Sequence, residues 1–224
     1  MKIVIISDIH GNFASLEHFP EKHCDQLWCL GDLVDYGPSP HEVIDWVRRR
    51  ATAAVRGNHD HAVGFNVDPR YPVPFKQAVS EAMRFTREAC TNEDIECLRN
   101  LAVQRELVVG TNSFYLVHAT PTDPLFGYRP PDSGLWANET QWINADFPVV
   151  GHTHTPFIRR IGGCTILNPG SLRRSKSPLA CYAVWEDGEI SFREYRYARA
   201  EGESTGWSRV PLTRHNADTS ISVL

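Results

Sequence analysis

Histidine, aspartate and asparagine recur along this chain in short blocks: Asp8-Ile9-His10-Gly11-Asn12, Gly31-Asp32, Gly57-Asn58-His59-Asp60, His118 and Gly151-His152-Thr153-His154. The chain has ten histidines in 224 residues, a high count, and half of them fall in these blocks. Imidazole nitrogen, carboxylate oxygen and amide carbonyl make an N/O donor set without thiolate. Such a set suits Mn, Fe, Co, Ni or Zn and argues against Cu(I) or an iron–sulfur cluster. Asp8, His10, Asp32, Asn58, His118, His152 and His154 are seven candidate ligands, more than one catalytic zinc needs. Two metal ions sharing a carboxylate fit the count better. In an extended segment, side chains two apart point the same way, so Asp8 with His10, and His152 with His154, are each expected to offer a pair.

Ligands so far apart in sequence need a scaffold that gathers them. Lys2 to Ser7 is a short apolar run that predicts a buried strand, followed by a helix over Asn12 to Phe19 that Pro20 stops. Gln26 to Leu30 and Ala51 to Val55 predict two more strands, with a loop from Arg56 to Asp60. Between them Ser39 can cap a helix with Pro40 in its first turn and Val43, Ile44 and Val47 on one face. Two helices are expected from about Phe75 to Leu101, with Thr91 capping the second. A hairpin should pair Gln104 to Val109 with Ser113 to His118. Strands are expected at Pro148 to Val150 and Cys164 to Leu167, a helix near Asn138 to Ala145, and a last hairpin from Cys181 to Trp185 and Ile190 to Tyr197. The rhythm is that of an α/β domain over residues 1–198, with 199–224 a tail or wrapping segment. Four of the five blocks directly follow a predicted strand and His118 closes one. In open α/β sheets ligands collect at that carboxyl edge.

The series D-x-H, G-D, G-N-H-D, a lone His after an apolar strand and G-H-T-H resembles the calcineurin-like metallophosphoesterase superfamily. Gly31-Asp32-Leu33-Val34-Asp35-Tyr36-Gly37-Pro38-Ser39-Pro40 and Leu167-Asn168-Pro169-Gly170-Ser171 resemble its small bacterial and archaeal phosphodiesterases. The resemblance implies a four-layer α-β-β-α sandwich, two mixed sheets flanked by helices, with a dinuclear metal site at the sheet edge. It assigns one metal to Asp8, His10, Asp32 and His154, and the other to Asp32, Asn58, His118 and His152, with Asp32 as the bridge. A water or hydroxide between the ions is the expected nucleophile. His59 becomes the general acid, and Asn12 a contact to a phosphate oxygen. Manganese is the expected metal, with Fe, Zn, Ni or Co as alternatives. The implied activity is phosphate-ester hydrolysis, with phosphodiesters preferred. Phosphomonoesters and dinucleoside polyphosphates are alternatives, and an inactive binding scaffold of the same fold is another. The presence of His59 speaks against the scaffold. Relatives commonly carry a glycine between the lone His and the next proline-containing stretch. Here the segment reads His118-Ala119-Thr120-Pro121, which spares every ligand and is expected to reshape the loop beside the pocket.

The formal net charge of −4 lacks the basic excess of a nucleic-acid groove, so stable nucleic-acid binding is not expected. No apolar run approaches membrane-spanning length, and the start from Met1 straight into a strand lacks signal-peptide features. Six scattered cysteines without a C-x-x-C pair fit free thiols in a reducing cytoplasm. The substrate is then a small phosphate ester, a nucleotide being one candidate. Between His118 and the helix near Asn138, prolines and aromatics cluster, and Phe126 and Tyr128 could offer a face to a nucleobase. Packing of those rings onto the domain is the alternative.

Overall fold

The computed structural model describes residues 1–68, 70, 73–173 and 179–198. Strand β1, Lys2–Ile6, alternates as its β-branched sequence dictates. Ile3 and Ile5 face one apolar layer, whereas Val4 and Ile6 face another. It pairs in parallel with β2, Gln26–Cys29, which pairs in parallel with β3, Ala53–Ala54. On its other side it pairs antiparallel with β9, Ala180–Glu186, which forms the last hairpin with β10, Glu189–Tyr195. The first sheet therefore runs β10-β9-β1-β2-β3.

The second sheet holds β4, Gln104–Val109, and β5, Asn112–Val117, in the expected hairpin. It continues through β6, Phe147–Val149, and β8, Cys164–Asn168, to β7, Phe157–Ile161, in the order β4-β5-β6-β8-β7. The sheets meet face to face: Ile3, Ile5, Trp28 and Leu30 pack on Phe114, Leu116, Val149 and Leu167. The outer face of the first sheet is covered by helices α1, Phe13–Glu17, α2, Pro40–Arg50, and α5, Asn92–Asn100, through Leu16, Val43, Ile44, Val47 and Leu98. On the far side of the second sheet, Trp136 of α6, Trp136–Thr140, packs against Tyr115, Val117 and Phe157. The fold is therefore the expected pair of mixed sheets flanked by helices.

Several local expectations change. Asn58–Phe65 is helix α3, although the start of this segment reads as loop. The reason is a helix start that hides inside the G-N-H-D block. Asp60 Oδ2 reaches back to the backbone N–H of Gly57 at 2.9 Å, satisfying a donor at the helix entrance. Strand β7 was not anticipated, and the helix expected near Asn138 to Ala145 is only the five residues of α6, offset toward Trp136. Strand β3 is shorter than expected because only Ala53 and Ala54 find ladder partners on β2. Residues 199–224 lie outside the described chain. Helix α4, Val73–Ala89, precedes α5, and Thr91 caps α5 as expected. Thr91 Oγ1 accepts from Asp94 N at 3.2 Å while the Asp94 carboxylate accepts from Thr91 N at 2.8 Å. Thr91→Ala should lower unfolding stability by about 1 kcal/mol. In urea the midpoint should fall with an unchanged slope, and an unmoved midpoint would show that the cap contributes nothing.

Candidate metal centre

Asp8 and His10 leave β1, Asp32 leaves β2, Asn58 and His59 open α3 just after β3, His118 follows β5, and His152 and His154 follow β6. All lie at carboxyl ends of strands, and they converge where the two sheets meet. The pairs Asp8/His10 and His152/His154 are not extended, which corrects the local geometry assumed from their spacing. Asp8, His10, Asp32, His152 and His154 all have positive φ, between 53° and 64°. That left-handed region is sparsely used by non-glycine residues, at an expense of order 1–3 kcal/mol each, and it clusters at functional sites. Backbone bonds hold the turns in place: Asp8 N donates to Gly31 O at 3.0 Å and His10 N to Asp32 O at 2.9 Å. Gly57 leaves room for the Asp32 carboxylate, since a Cβ there would collide with Asp32 Oδ1 and the Asp32 backbone.

The donor atoms form two adjoining groups. In one, His154 Nε2 lies 3.1 Å from His10 Nε2 and 3.3 Å from Asp8 Oδ1. In the other, His118 Nε2 lies 3.1 Å from Asn58 Oδ1 and 3.2 Å from His152 Nδ1. Asp32 Oδ2 stands between them, 3.7 Å from His10 Nε2 and 3.2 Å from His118 Nε2. The far nitrogens are tied to backbone carbonyls: His10 Nδ1 is 3.1 Å from Val34 O, and His118 Nδ1 is 2.7 Å from Leu30 O. A nitrogen facing a carbonyl carries the hydrogen, so in the neutral ring it is Nε2 that presents a lone pair to the centre. Rings that meet nitrogen to nitrogen at 3.1 and 3.2 Å need a positive charge between them, a proton or a metal ion, to make the contact favourable.

The charge balance fits a cation as well. Asp8 Oδ1 is fully buried, with His154 Nε2 3.3 Å away. Burial alone would raise the Asp32 carboxyl, but the His118 imidazole beside it holds it well below the usual range. Burial would lower His118, yet the Asp32 carboxylate pushes it up to about 9. Burial drives His152 down to about 3, leaving a neutral donor. The pocket thus keeps its carboxylates ionised and draws positive charge toward Asp32.

His59 adjoins the donors: one ring nitrogen lies within 4.8 Å of donor atoms of His10 and Asp32, and its ring meets that of His10 at 5.0 Å. Its Nδ1 lies 2.7 Å from Asp35 Oδ2, and Asp35 Oδ1 in turn accepts from Thr86 Oγ1 at 2.8 Å. Asp35, fully buried, was missed by spacing arguments; a second aspartate three residues after Asp32 was the available signal. The neighbouring Asp60 does a different job. It accepts from the backbone N–H groups of Asp32 and Leu33 at 2.9 and 2.8 Å, fixing the turn that carries Asp32. Asn12 is buried, and its amide donates to Tyr197 Oη. It makes no hydrogen bond to any of the clustered residues.

The two loop aromatics separate. Phe126 is half-buried, under the Arg70 guanidinium at 4.4 Å and with its ring 6.3 Å from that of His61. Tyr128 is 53% exposed, with its ring edge-on to His152 at 5.9 Å. The loop is pinned by Trp136 Nε1 to Pro130 O at 2.9 Å and by Arg159 to Pro131 O and Ser133 O, both at 2.7 Å. All six cysteines are free thiols, as expected, and no described helix is long and apolar enough to cross a membrane.

Comparison with known proteins places this constellation. An uncharacterized protein of Methanocaldococcus jannaschii is 29% identical over 175 residues, 76% of this chain and 69% of that one. A shorter stretch of 67 residues is 40% identical to the symmetrical bis(5'-nucleosyl)-tetraphosphatase of Psychromonas ingrahamii, matching 27% of this chain and 24% of that enzyme. This chain therefore spans only about a quarter of the tetraphosphatase. A metallophosphoesterase from Sphaerobacter thermophilus superposes with a TM-score of 0.74 at 28% identity, over 88% of this chain and 90% of that one. Residues 1–187, from the first strand through the ninth with every clustered donor between them, match the calcineurin-like phosphoesterase superfamily domain, and the chain belongs to that superfamily.

Proposed function

We infer that the protein hydrolyses phosphate esters, phosphodiesters above all, with two divalent metal ions held by the clustered donors. Asp32 carries this reading: one carboxylate oxygen faces a histidine of each donor group, at 3.7 and 3.2 Å. Asp8, His10 and His154 would share Asp32 with Asn58, His118 and His152 in holding the pair. Bound there, the ions supply an acidified water as nucleophile and neutralise charge on the phosphoryl oxygens. Manganese suits the all-N/O donor set, as do Fe, Co, Ni and Zn. His59 supplies the proton for the departing oxygen from Nε2, because Asp35 occupies Nδ1 at 2.7 Å and stabilises the imidazolium. Asn12 gives one amide N–H to Tyr197 Oη and would offer its second to a phosphate oxygen.

A second reading, hydrolysis of dinucleoside polyphosphates, is favoured by the 67-residue match to a tetraphosphatase. One experiment addresses both. Protein stripped with a chelator and reloaded with Mn²⁺ is assayed on bis(p-nitrophenyl) phosphate, p-nitrophenyl phosphate and a dinucleoside tetraphosphate. Turnover should vanish on stripping, return with Mn²⁺ and run fastest on the diester. A faster monoester would redirect the assignment to a phosphomonoesterase, and preference for the tetraphosphate would favour the second reading. No turnover with any of Mn, Fe, Co, Ni or Zn would leave a binding scaffold.

A further inference from the structure

Asp35 and Tyr36 are consecutive residues with φ of 69° and 70°. The left-handed region is uncommon for any residue with a Cβ and an outlier for a bulky aromatic, so the surrounding structure must enforce it. What the two side chains reach explains the turn. The Asp35 carboxylate lies 2.7 Å from His59 Nδ1, and the Tyr36 hydroxyl lies 3.4 Å from His59 Nε2. Neighbouring residues thus address both nitrogens of one imidazole. The Tyr36 ring meets the His59 ring edge-on at 4.9 Å and the His10 ring at 5.1 Å. The guanidinium of Arg173, a residue only 9% exposed, covers the Tyr36 ring at 4.6 Å. The Arg173 backbone N–H donates to Asp8 O at 3.1 Å, so the cation is tied to the turn that carries a candidate ligand. A cation held over the ring face is attracted to it and fixes where the phenol stands.

We propose that Tyr36 is a catalytic residue whose hydroxyl donates a hydrogen bond to the departing oxygen, beside the proton on His59 Nε2. It rests on the phosphoesterase reading above. A separation of 3.4 Å is too long for a strong bond between the two groups, yet one oxygen atom can sit within reach of both. As the P–O bond breaks, its electron pair passes to the departing oxygen. The proton on His59 Nε2 forms the new O–H bond, and His59 ends as neutral imidazole. The Tyr36 O–H bond stays intact and stabilises charge developing on that oxygen. Water provides the oxygen that joins phosphorus and releases one proton to solvent. Arg173 is a positioning residue that acts through the Tyr36 ring.

Tyr36→Phe keeps the ring, and with it the contact to Arg173, while deleting the donor. On a methyl phosphodiester kcat should fall about ten-fold, the worth of one neutral hydrogen bond. On a p-nitrophenyl diester, whose leaving group needs little stabilisation, the fall should be under about three-fold. KM and metal content should stay as in the wild type. In the metal-free protein, the ¹⁵N resonance of His59 Nε2 should shift on Tyr36→Phe while that of Nδ1 holds. Equal losses on both esters, or an unmoved Nε2 resonance, overturn the proposal. His59→Ala, run on the same esters, separates the two claims. Leaving-group selectivity in His59→Ala alone removes Tyr36 from the chemistry. Selectivity in Tyr36→Phe alone supports Tyr36 and removes His59 as the acid. A protein that turns over no phosphate ester overturns both.

Discussion

Asp32→Ala should leave the purified protein with almost no bound metal, whereas His154→Ala should retain about one of two equivalents. The asymmetry follows from position. His154 Nε2 lies beside Asp8 and His10, while Asp32 Oδ2 faces His10 and His118 together. Activity of Asp32→Ala should drop by more than the roughly 10- to 100-fold seen when a partner that merely orients a ligand is lost. The carboxylate also has a structural duty, since Asp32 Oδ1 accepts the backbone N–H of His59 at 3.0 Å. Alanine leaves that buried donor unsatisfied, at a cost of about 1–3 kcal/mol. Asp32→Asn therefore accompanies it: the amide oxygen can keep the backbone bond, but the charge is gone. Metal content by mass spectrometry, with circular dichroism as a check on folding, decides the matter. Two tightly held equivalents in either Asp32 variant would remove Asp32 from the bridge.

Much of this site is legible in the sequence because donor chemistry is local. A histidine or aspartate that follows a buried strand announces both its ligand type and its edge of the sheet. Asp8, His10, Asp32, Asn58, His118, His152 and His154 were all found that way and converge in space. The geometry by which they converge was not legible. Alternation along an extended chain would pair Asp8 with His10, but both residues are left-handed, and the convergence comes from two tight turns locked to neighbouring loops. The same limit hid Asp35 and Tyr36, whose reach to His59 depends on two successive positive φ angles. Spacing carries no sign of φ.

Among the elements, long apolar runs such as Lys2–Ile6 declare themselves by burial on both faces. Helix α3 did not, because its first residues are polar and serve the site, so no apolar stripe marks its start. Strand β7 is masked by Arg159 and Arg160 in its middle, tolerable because it lies at the edge of its sheet. Strands β7 and β8 form a tight hairpin across Gly162-Gly163, so it is the parallel pairing of β8 with β6 that has no local signal. The aromatic loop shows the difference between composition and contact. Phe126 and Tyr128 read alike in sequence, but only Tyr128 stands exposed beside a candidate ligand.

His59→Ala should keep both metals and lose about 10²- to 10⁴-fold in kcat on esters with poor leaving groups, the usual worth of a positioned general acid. The metal site should survive because the imidazole is not needed to hold Asp32. The bond that fixes the Asp32 carboxylate comes from the His59 backbone N–H, which alanine retains. Asp60 continues to clamp the Asp32 turn through the N–H groups of Asp32 and Leu33. On a p-nitrophenyl ester the departing phenolate is stable without a proton, so the penalty should shrink. Asp35→Asn provides the companion measurement. Its carboxylate lies 2.7 Å from His59 Nδ1 and favours the charged, proton-bearing ring. With a neutral amide in its place the imidazolium is less populated, and the loss should follow the same leaving-group trend at smaller magnitude. A series of diesters spanning leaving-group acidity, with metal content measured on each preparation, gives the slopes directly. Parallel slopes for wild type and His59→Ala would take the proton away from His59 and leave its imidazole a structural neighbour of the centre.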